Sequence, residues 1–530
     1  MTIAEYIAGK LSEHGVRYVF GIPGGPSIPL LEAFRAAGIE FILTSNEASA
    51  GIMADVSGRM TGIPGVCHST FGPGATNIAT GVGGAFLDRS PVIVFTSEMD
   101  DNMINRIAQM NINHQKLFEP ITKATFRLST SNYAGVMESA LGLCLDGYPG
   151  PVHIGLPSDI CDKEAEEVSA TGFRTEIVSN NNNIQKILSL LENSRHPLLA
   201  VGLTAARMET GPGIMSFLSD FRMPVVITPM AKGLISETHP CYAGVLFHSL
   251  SDYLEDIFDK TDLVIGLGYD PVEINYESWL PDVPLVHFDI RRTDILPGRS
   301  SAEYIGPPDE WFRILRNLNA GALLFESSVI TGIRDEMMSV FNGFTNHFGP
   351  SAVIKILREE LPRNVIVTAD VGSHLHLTGQ FWQTNGQGKI LMSNGWSGMG
   401  FGLPAALAAQ LISRESTVVC LTGDGGFLMN AGEIITARRY NLPVIVVVFS
   451  DGELNLIKVK QSWKNLSPYG TLLYQDDLFG AERFLSVKVL RADSHASMRK
   501  CIIEALAENE PVIINDVIDP EEYRWLIVKR

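Results

Sequence analysis

No apolar run in this sequence is long enough to cross a bilayer. The longest strongly apolar stretch, Leu442–Phe449, has eight residues, whereas a spanning helix needs about 20. A signal peptide is also missing from residues 1–15. Glu5, Lys10 and Glu13 sit there among apolar residues at helical spacing, with no basic leader before an apolar core. Cysteine is sparse and unpatterned. Cys67, Cys144, Cys161, Cys241, Cys420 and Cys501 form no CxxC pair, and most lie in apolar surroundings. They read as buried thiols of a reducing, cytoplasmic compartment, not as disulfides or zinc ligands. Charge is low at 19%, below the usual quarter, as in chains that bury surface against another subunit. Basic residues are the scarcer sign, 41 against 59 acidic, for a net charge of −18. That balance argues against nucleic acid or an anionic membrane as a general partner. No short-period repeat is present, which excludes a solenoid.

What the chain does have is a long alternation of short Val- and Ile-rich runs with helical patterns. The runs include Val16–Phe20, Val92–Thr96, Val152–Ile154, Pro197–Val201, Val225–Thr228, Leu263–Gly266, Val365–Thr368, Thr417–Leu421 and Val444–Phe449. Each is too short for a helix. Nearly all are continuously apolar, which marks strands buried on both faces. Such strands alternating with helices predict parallel α/β sheets. A chain of 530 residues is too long for one such sheet. Two stretches read as linkers: Asp162–Asn183, charged and then asparagine-rich, and Ala320–Pro350, with an amphipathic helix expected around Ile333–Phe341. The expected architecture is therefore three doubly wound parallel-sheet domains, at about 1–165, 182–320 and 348–530.

The segment richest in chemistry is Thr417–Ile457. A strand runs into Gly423-Asp424-Gly425-Gly426; a helical stretch and a second apolar strand follow, then Ser450-Asp451-Gly452-Glu453. In a βαβ unit this spacing puts Asp424 and Asp451 at the carboxyl ends of neighbouring parallel strands, where open α/β sheets bind ligands. Two carboxylates there suit Mg²⁺, which takes oxygen ligands and often bridges to phosphate. A backbone carbonyl near Glu453 would add a third protein ligand. Gly425 and Gly426 would let the backbone approach a diphosphate at a helix start. Either turn alone would be an ordinary strand-to-helix connection; the pairing favours a metal–diphosphate site.

Gly423-Asp424-Gly425, a spacer, then Asp451 after an apolar strand resembles the signature of thiamine-diphosphate (ThDP) enzymes. Ser450-Asp451 stands where members commonly have two asparagines, and the aspartate resembles what some acetolactate synthases of the catabolic type carry. Further motifs follow in the family's order. Phe41–Ala48 with Ala54-Asp55 and Gly58-Arg59 is similar to the segment carrying the family's glutamate, here Glu47, although Ser45-Asn46 replaces Arg-His. Val19–Gly25, containing Gly21, resembles the opening strand and loop. Phe71–Asn77 resembles the Gly-Pro-Gly-Ala-Thr-Asn turn. His114-Gln115 resembles the segment whose glutamine faces the reacting carbon. Asp370-Val371-Gly372-Ser373-His374 is similar to the stretch that holds the diphosphate, with Ser373 in place of glutamine. Gly395–Ala405 resembles the cofactor prop, with Gly398 and Met399 at its centre.

The resemblance implies Glu47, Gln115 and His114 as catalytic residues. It implies Gly21, Gly372, Ser373, His374, Gly398, Met399, Gly425 and Gly426 as contacts to ThDP, and Asp424, Asp451 and Glu453 as the Mg²⁺ site. FAD is not expected, because Tyr269-Asp270-Pro271-Val272-Glu273 resembles the FAD-free catabolic form. It also implies a homodimer or a dimer of dimers (a homotetramer), with the site completed between chains. The activity implied is carboligation: a 2-oxo acid such as pyruvate is decarboxylated and its acyl unit passed to an acceptor. A 2-oxo acid decarboxylase, or another C–C lyase on the same cofactor, remains open. So does a non-catalytic ThDP-binding paralogue, against which the presence of Glu47, Asp424 and Asp451 counts. Lys460 reads equally as a contact to an anionic acceptor and as a solvated helix residue.

Overall fold

The structure is a computed structural model describing residues 1–165, 179–180, 182–274, 277–319 and 326–527. Continuous apolar runs become strands of three parallel sheets, with helices in the connections. The first sheet holds β1 (Tyr18–Gly21), β2 (Glu40–Leu43), β3 (Gly65–Ser69), β4 (Val92–Glu98), β5 (Ala124–Arg127) and β6 (Pro151–Pro157), in the order β2-β1-β3-β4-β6-β5. The second holds β7 (Pro197–Val201), β8 (Val225–Ile227), β9 (Tyr242–Val245), β10 (Leu263–Leu267), β11 (Leu285–Asp289) and β12 (Ala302–Ile305), in the order β12-β11-β10-β7-β8-β9. The third holds β13 (Ile366–Ala369), β14 (Lys389–Met392), β15 (Val418–Gly423), β16 (Ile445–Ser450), β17 (Arg483–Phe484), β18 (Val487–Ala492) and β19 (Val512–Val517), in the order β14-β13-β15-β16-β19-β18-β17. Among the strands of the described residues, only β17 and β18 pair antiparallel. Every residue of β3, β4, β6, β7 and β10 is buried, as strands covered on both faces must be.

Two compact units result. The first comprises Met1–Glu176, Trp396–Glu415 and Asn430–Leu442. The helix Glu47–Thr61 crosses the helix Pro73–Leu87 there at a glycine pair. A Cβ on Gly51 would lie 2.8 Å from the Cα of Gly81, so only glycine permits this approach. The helix Gly402–Ile412 belongs to the same unit, although its sequence neighbours are third-sheet strands. Phe401, just before it, lies under the Arg59 guanidinium at 5.5 Å. Arg59 is buried and pairs with Asp55 at 2.5 Å and Asp88 at 2.8 Å.

The second unit comprises Ile177–Gly395, Ser416–Met429 and Pro443–Arg530. One apolar core joins its two sheets: Leu198 and Val264 cluster with Val419 and Val447, and with Ile330, Ile333, Met337 and Phe341 of the helix Ser327–Phe344. That helix contains the expected amphipathic stretch and is longer at both ends. Residues 166–178, 181 and 320–325, which fall in the two expected linkers, lie outside the described residues. All six cysteines are buried and free. Among the described residues, no helix is long and apolar enough to cross a membrane.

The Arg59 cluster generates a stability prediction. Arg59→Ala leaves two buried carboxylates without their cation, and breaking a buried pair costs about 3–5 kcal/mol. Denaturant titration should show a loss of that order. A loss under about 1 kcal/mol would mean that the cluster is solvated after all.

Candidate functional site

In the third sheet the chain leaves β13 for β14 on one side and returns to β15 on the other. The crevice at such a switch point is where open sheets take ligands. β15 and β16 are parallel neighbours in register from Val419↔Ile445 to Gly423↔Phe449. Asp424 and Asp451 therefore emerge side by side, as the spacing predicts. Asp424 is buried and richly solvated by the protein. Its Oδ1 accepts from the Gly425 N–H at 2.7 Å. Its Oδ2 accepts from the N–H of Gly452 at 2.7 Å and of Asp451 at 3.2 Å, and from the Tyr474 hydroxyl at 2.8 Å. Gly452 has φ of +75°, a left-handed conformation that aims its N–H at Asp424.

Asp451 accepts from the Glu453 N–H at 3.1 Å and from Asn455 Nδ2 at 3.2 Å. Burial first, and the charge of Asp424 second, push its carboxyl up to about 7. Asp424 is also raised by burial, with its four donors opposing. Two adjacent carboxylates in this position offer hard oxygen atoms of the kind that Mg²⁺ takes. The side chain of Glu453 turns to Lys458; what it gives the loop is its backbone.

The rim opposite is formed by the end of β13. Asp370 accepts from Thr422 Oγ1 at 3.1 Å. A Cβ on Gly426 would stand 2.7 Å from Asp370 Oδ2, which accounts for that glycine. Gly372 precedes the helix Ser373–Phe381. Ser373 Oγ and His374 Nε2 are buried and, among the described residues, have no hydrogen-bond partner. The His374 ring stacks on Phe449 with centroids 5.3 Å apart. Burial pushes it down to about 3, with the backbone at Leu421 and Asp370 opposing, so the ring is neutral. Unused polar atoms beside the carboxylate pair suit a ligand rich in oxygens. Gly372, Ser373, His374, Gly425, Gly426, Asp424 and Asp451 are thus brought together; Lys460 is exposed on the helix Asn455–Trp463.

Glu47, Gly21, His114, Gln115, Gly398 and Met399 belong to the first unit. Glu47 opens its helix behind the cap Asn46, whose Oδ1 accepts from the Ala48 N–H at 2.7 Å. Its half-buried carboxylate accepts from Asn77 Nδ2 at 3.1 Å. A residue that the sequence did not single out anchors this helix start. Buried Glu433 accepts from the N–H of Ser45 at 2.9 Å and of Asn46 at 3.0 Å. Gly21 packs so closely on β3 that a Cβ would sit 2.1 Å from the His68 carbonyl. Met399 is half-buried in the segment after Trp396, whose ring lies where a Gly83 Cβ would be, 2.8 Å away. His114 is buried and Gln115 is half-buried next to it. Their partners Thr96 and Glu98, at the end of β4, were also missed. An acid closing a continuous apolar strand was the available signal.

In the second sheet the switch point lies between β7 and β10 and is closed. A Cβ on Gly202 would meet the Gly268 carbonyl at 2.6 Å. The Glu273 carboxyl accepts there from the N–H of Leu203 at 3.2 Å and of Met230 at 2.8 Å. Burial pushes it up to about 8.

Comparison with known proteins agrees with this layout. Residues 1–117 match "Thiamine pyrophosphate enzyme, N-terminal TPP binding domain", 184–305 the central domain and 370–515 the C-terminal TPP binding domain of the same enzymes. A probable acetolactate synthase large subunit of Methanocaldococcus jannaschii is 30% identical over 98% of this chain and 92% of its own length. The acetolactate synthase isozyme 1 large subunit of Escherichia coli is 27% identical over 98% and 94%. The isozyme 2 large subunit of the same organism is 28% identical over 88% and 85%. The chain belongs to the thiamine pyrophosphate enzymes, and within them to the acetolactate synthase-like group.

The Glu433 anchor can be tested. Glu433→Ala leaves two backbone N–H groups without their acceptor, worth about 1–3 kcal/mol in stability. Amide exchange at Ser45 and Asn46 should accelerate together. Unchanged exchange at both would show that other groups hold the start of the Glu47 helix.

Proposed function

We propose that this acetolactate synthase-like carboligase uses pyruvate or a close 2-oxo acid as donor and releases acetolactate or a relative. The observation that carries the reading is the Asp424–Asp451 pair at adjoining strand ends, Asp424 buried and Asp451 half-buried, together with the unused Ser373 Oγ and His374 Nε2 after the neighbouring strand β13. Thiamine diphosphate, when bound, supplies the carbon that adds to the 2-oxo acid and draws electrons from the bond to its departing CO₂. The chain does the rest. Asp424 and Asp451, with the backbone at Glu453, hold Mg²⁺. Gly372, Ser373, His374, Gly425 and Gly426 line the diphosphate. Glu47 is the acid–base group at the pyrimidine, steadied by Asn77. Gly21, Gly398 and Met399 complete the cofactor's surroundings, and His114 and Gln115 face the reacting atoms.

We assign these roles to three domains at 1–165, 182–320 and 348–530. The central one works without FAD. In support, the Glu273 carboxyl takes the Leu203 and Met230 N–H groups that a phosphate would need. The working form is a homodimer or a dimer of dimers. Its support is the 19% charge fraction and exposed apolar side chains such as Ile107 and Leu472.

Purified protein given ThDP, Mg²⁺ and a panel of 2-oxo acids should yield acetolactate or acetoin by mass spectrometry. Free acetaldehyde as the sole product would make the chain a decarboxylase instead. Asp424→Ala should lose ThDP binding at micromolar cofactor while keeping its circular dichroism; unchanged affinity would remove the metal assignment. Glu47→Gln keeps size and an acceptor for Asn77 but cannot carry a proton. It should bind ThDP within a few-fold of wild type, with deuterium exchange at the cofactor's reactive carbon slowed about 10²-fold or more. Exchange at the wild-type rate would reduce Glu47 to a helix-start residue.

A further inference from the structure

The first unit buries a polar network that the cofactor residues do not account for. It centres on Glu98, the last residue of β4, which is 2% exposed. Glu98 Oε1 accepts from Gln115 Nε2 at 2.5 Å, and Oε2 accepts from Arg127 Nε at 3.1 Å. The pair occupies a space built for it. Gly155 on β6 lies between the strand ends, and a Cβ there would sit 2.0 Å from Glu98 Oε1 and 2.8 Å from Gln115 Nε2. No side chain at position 155 could coexist with this contact. Thr96 and Arg127 are both register partners of Gly155, so three neighbouring strands deliver the network to one point.

The groups around it are tied to one another. Arg127 Nη1 donates to Asp101 at 2.5 Å, and Nη2 donates to the Met99 carbonyl at 2.9 Å. His114 Nδ1 and His153 Nε2 each lie 2.8 Å from Thr96 Oγ1, and His153 Nδ1 lies 2.6 Å from Thr125 Oγ1. Burial pushes His114 down to about 4 and His153 well below its usual value, so both rings are neutral. Ligand atoms of Glu98, His114 and His153 do come within 4.8 Å of one another. The Thr96 hydroxyl bridges the two imidazoles, however, and Gln115 and Arg127 each donate to one oxygen of the carboxylate. The cluster is a closed hydrogen-bond network, not a metal site.

An amide can turn either end toward a partner, but an ionised carboxylate accepts only. Burial pushes the Glu98 carboxyl up, while Gln115 and Arg127 oppose that shift; with Arg127 donating to one oxygen and Gln115 Nε2 to the other, the amide is held with Nε2 inward. We infer that Glu98 is a positioning residue, which locks the Gln115 amide so that its carbonyl oxygen, an acceptor, is the atom presented to the substrate. The ligand group opposite Gln115 is then a hydrogen-bond donor, such as a hydroxyl. The inference rests on the reading that Gln115 faces the reacting atoms.

A double-mutant cycle on the ThDP- and Mg²⁺-loaded enzyme tests it. Glu98→Gln keeps the shape but removes the charge that enforces one amide orientation. It should lower kcat with pyruvate about tenfold or more, the effect of a lost charge-assisted hydrogen bond, with KM, ThDP affinity and thermal midpoint near wild type. Added to Gln115→Ala, it should cause no further loss. If Gln115→Ala alone leaves product formation unchanged, Gln115 is not at the reacting atoms, and both the reading and the inference fall. If Gln115→Ala is impaired but Glu98→Gln multiplies that loss, or acts only through the thermal midpoint, Glu98 has a structural role and the inference alone falls.

Discussion

Two carboxylates side by side, Asp424 buried and Asp451 half-buried, are the constraint around which the second unit is arranged. Like charges at adjoining strand ends repel, and burial deprives each of water. The fold answers with directed donors: three backbone N–H groups and the Tyr474 hydroxyl on Asp424, the Glu453 N–H and Asn455 on Asp451. These donors do not relieve Asp451, which is pushed up to about 7. Left-handed Gly452 and the glycine at 426, packed on Asp370, have their reason here.

The first unit solves a different problem, which is bringing backbones close enough to aim a few side chains. The Gly51–Gly81 crossing sets the two helices that carry Glu47 and Asn77. Gly83 admits the Trp396 ring, and Gly155 admits the Glu98–Gln115 pair. Each glycine marks a contact that one added carbon would break. Placement of polar groups here follows from packing rather than from local turn chemistry.

Sequence reasoning reached the sheets because parallel strands buried on both faces announce themselves as continuous Val and Ile runs. β14 and β18 were harder. β14 lies at a sheet edge and opens with exposed Lys389, and β18 alternates buried with partly exposed residues. The Asp424–Asp451 pairing was legible, because strand register converts sequence spacing into spatial adjacency. Glu433, Tyr474 and Glu98 were not, since each acts on a residue far away in the chain. Glu433 reaches Ser45 and Asn46 across 388 and 387 positions. The place of the helix Gly402–Ile412 in the first unit was hidden for the same reason: apart from Gln410 its sequence is apolar and names no partner.

The measurement closest to the central claim is ThDP affinity with divalent metal present and absent. If the Asp424–Asp451 pair needs a cation before it can face a diphosphate, wild-type protein stripped with EDTA should bind ThDP poorly. Mg²⁺ should then restore tight binding. Equal affinity in EDTA and in Mg²⁺ would contradict the claim, because the two carboxylates would then have tolerated a polyanion beside them unaided.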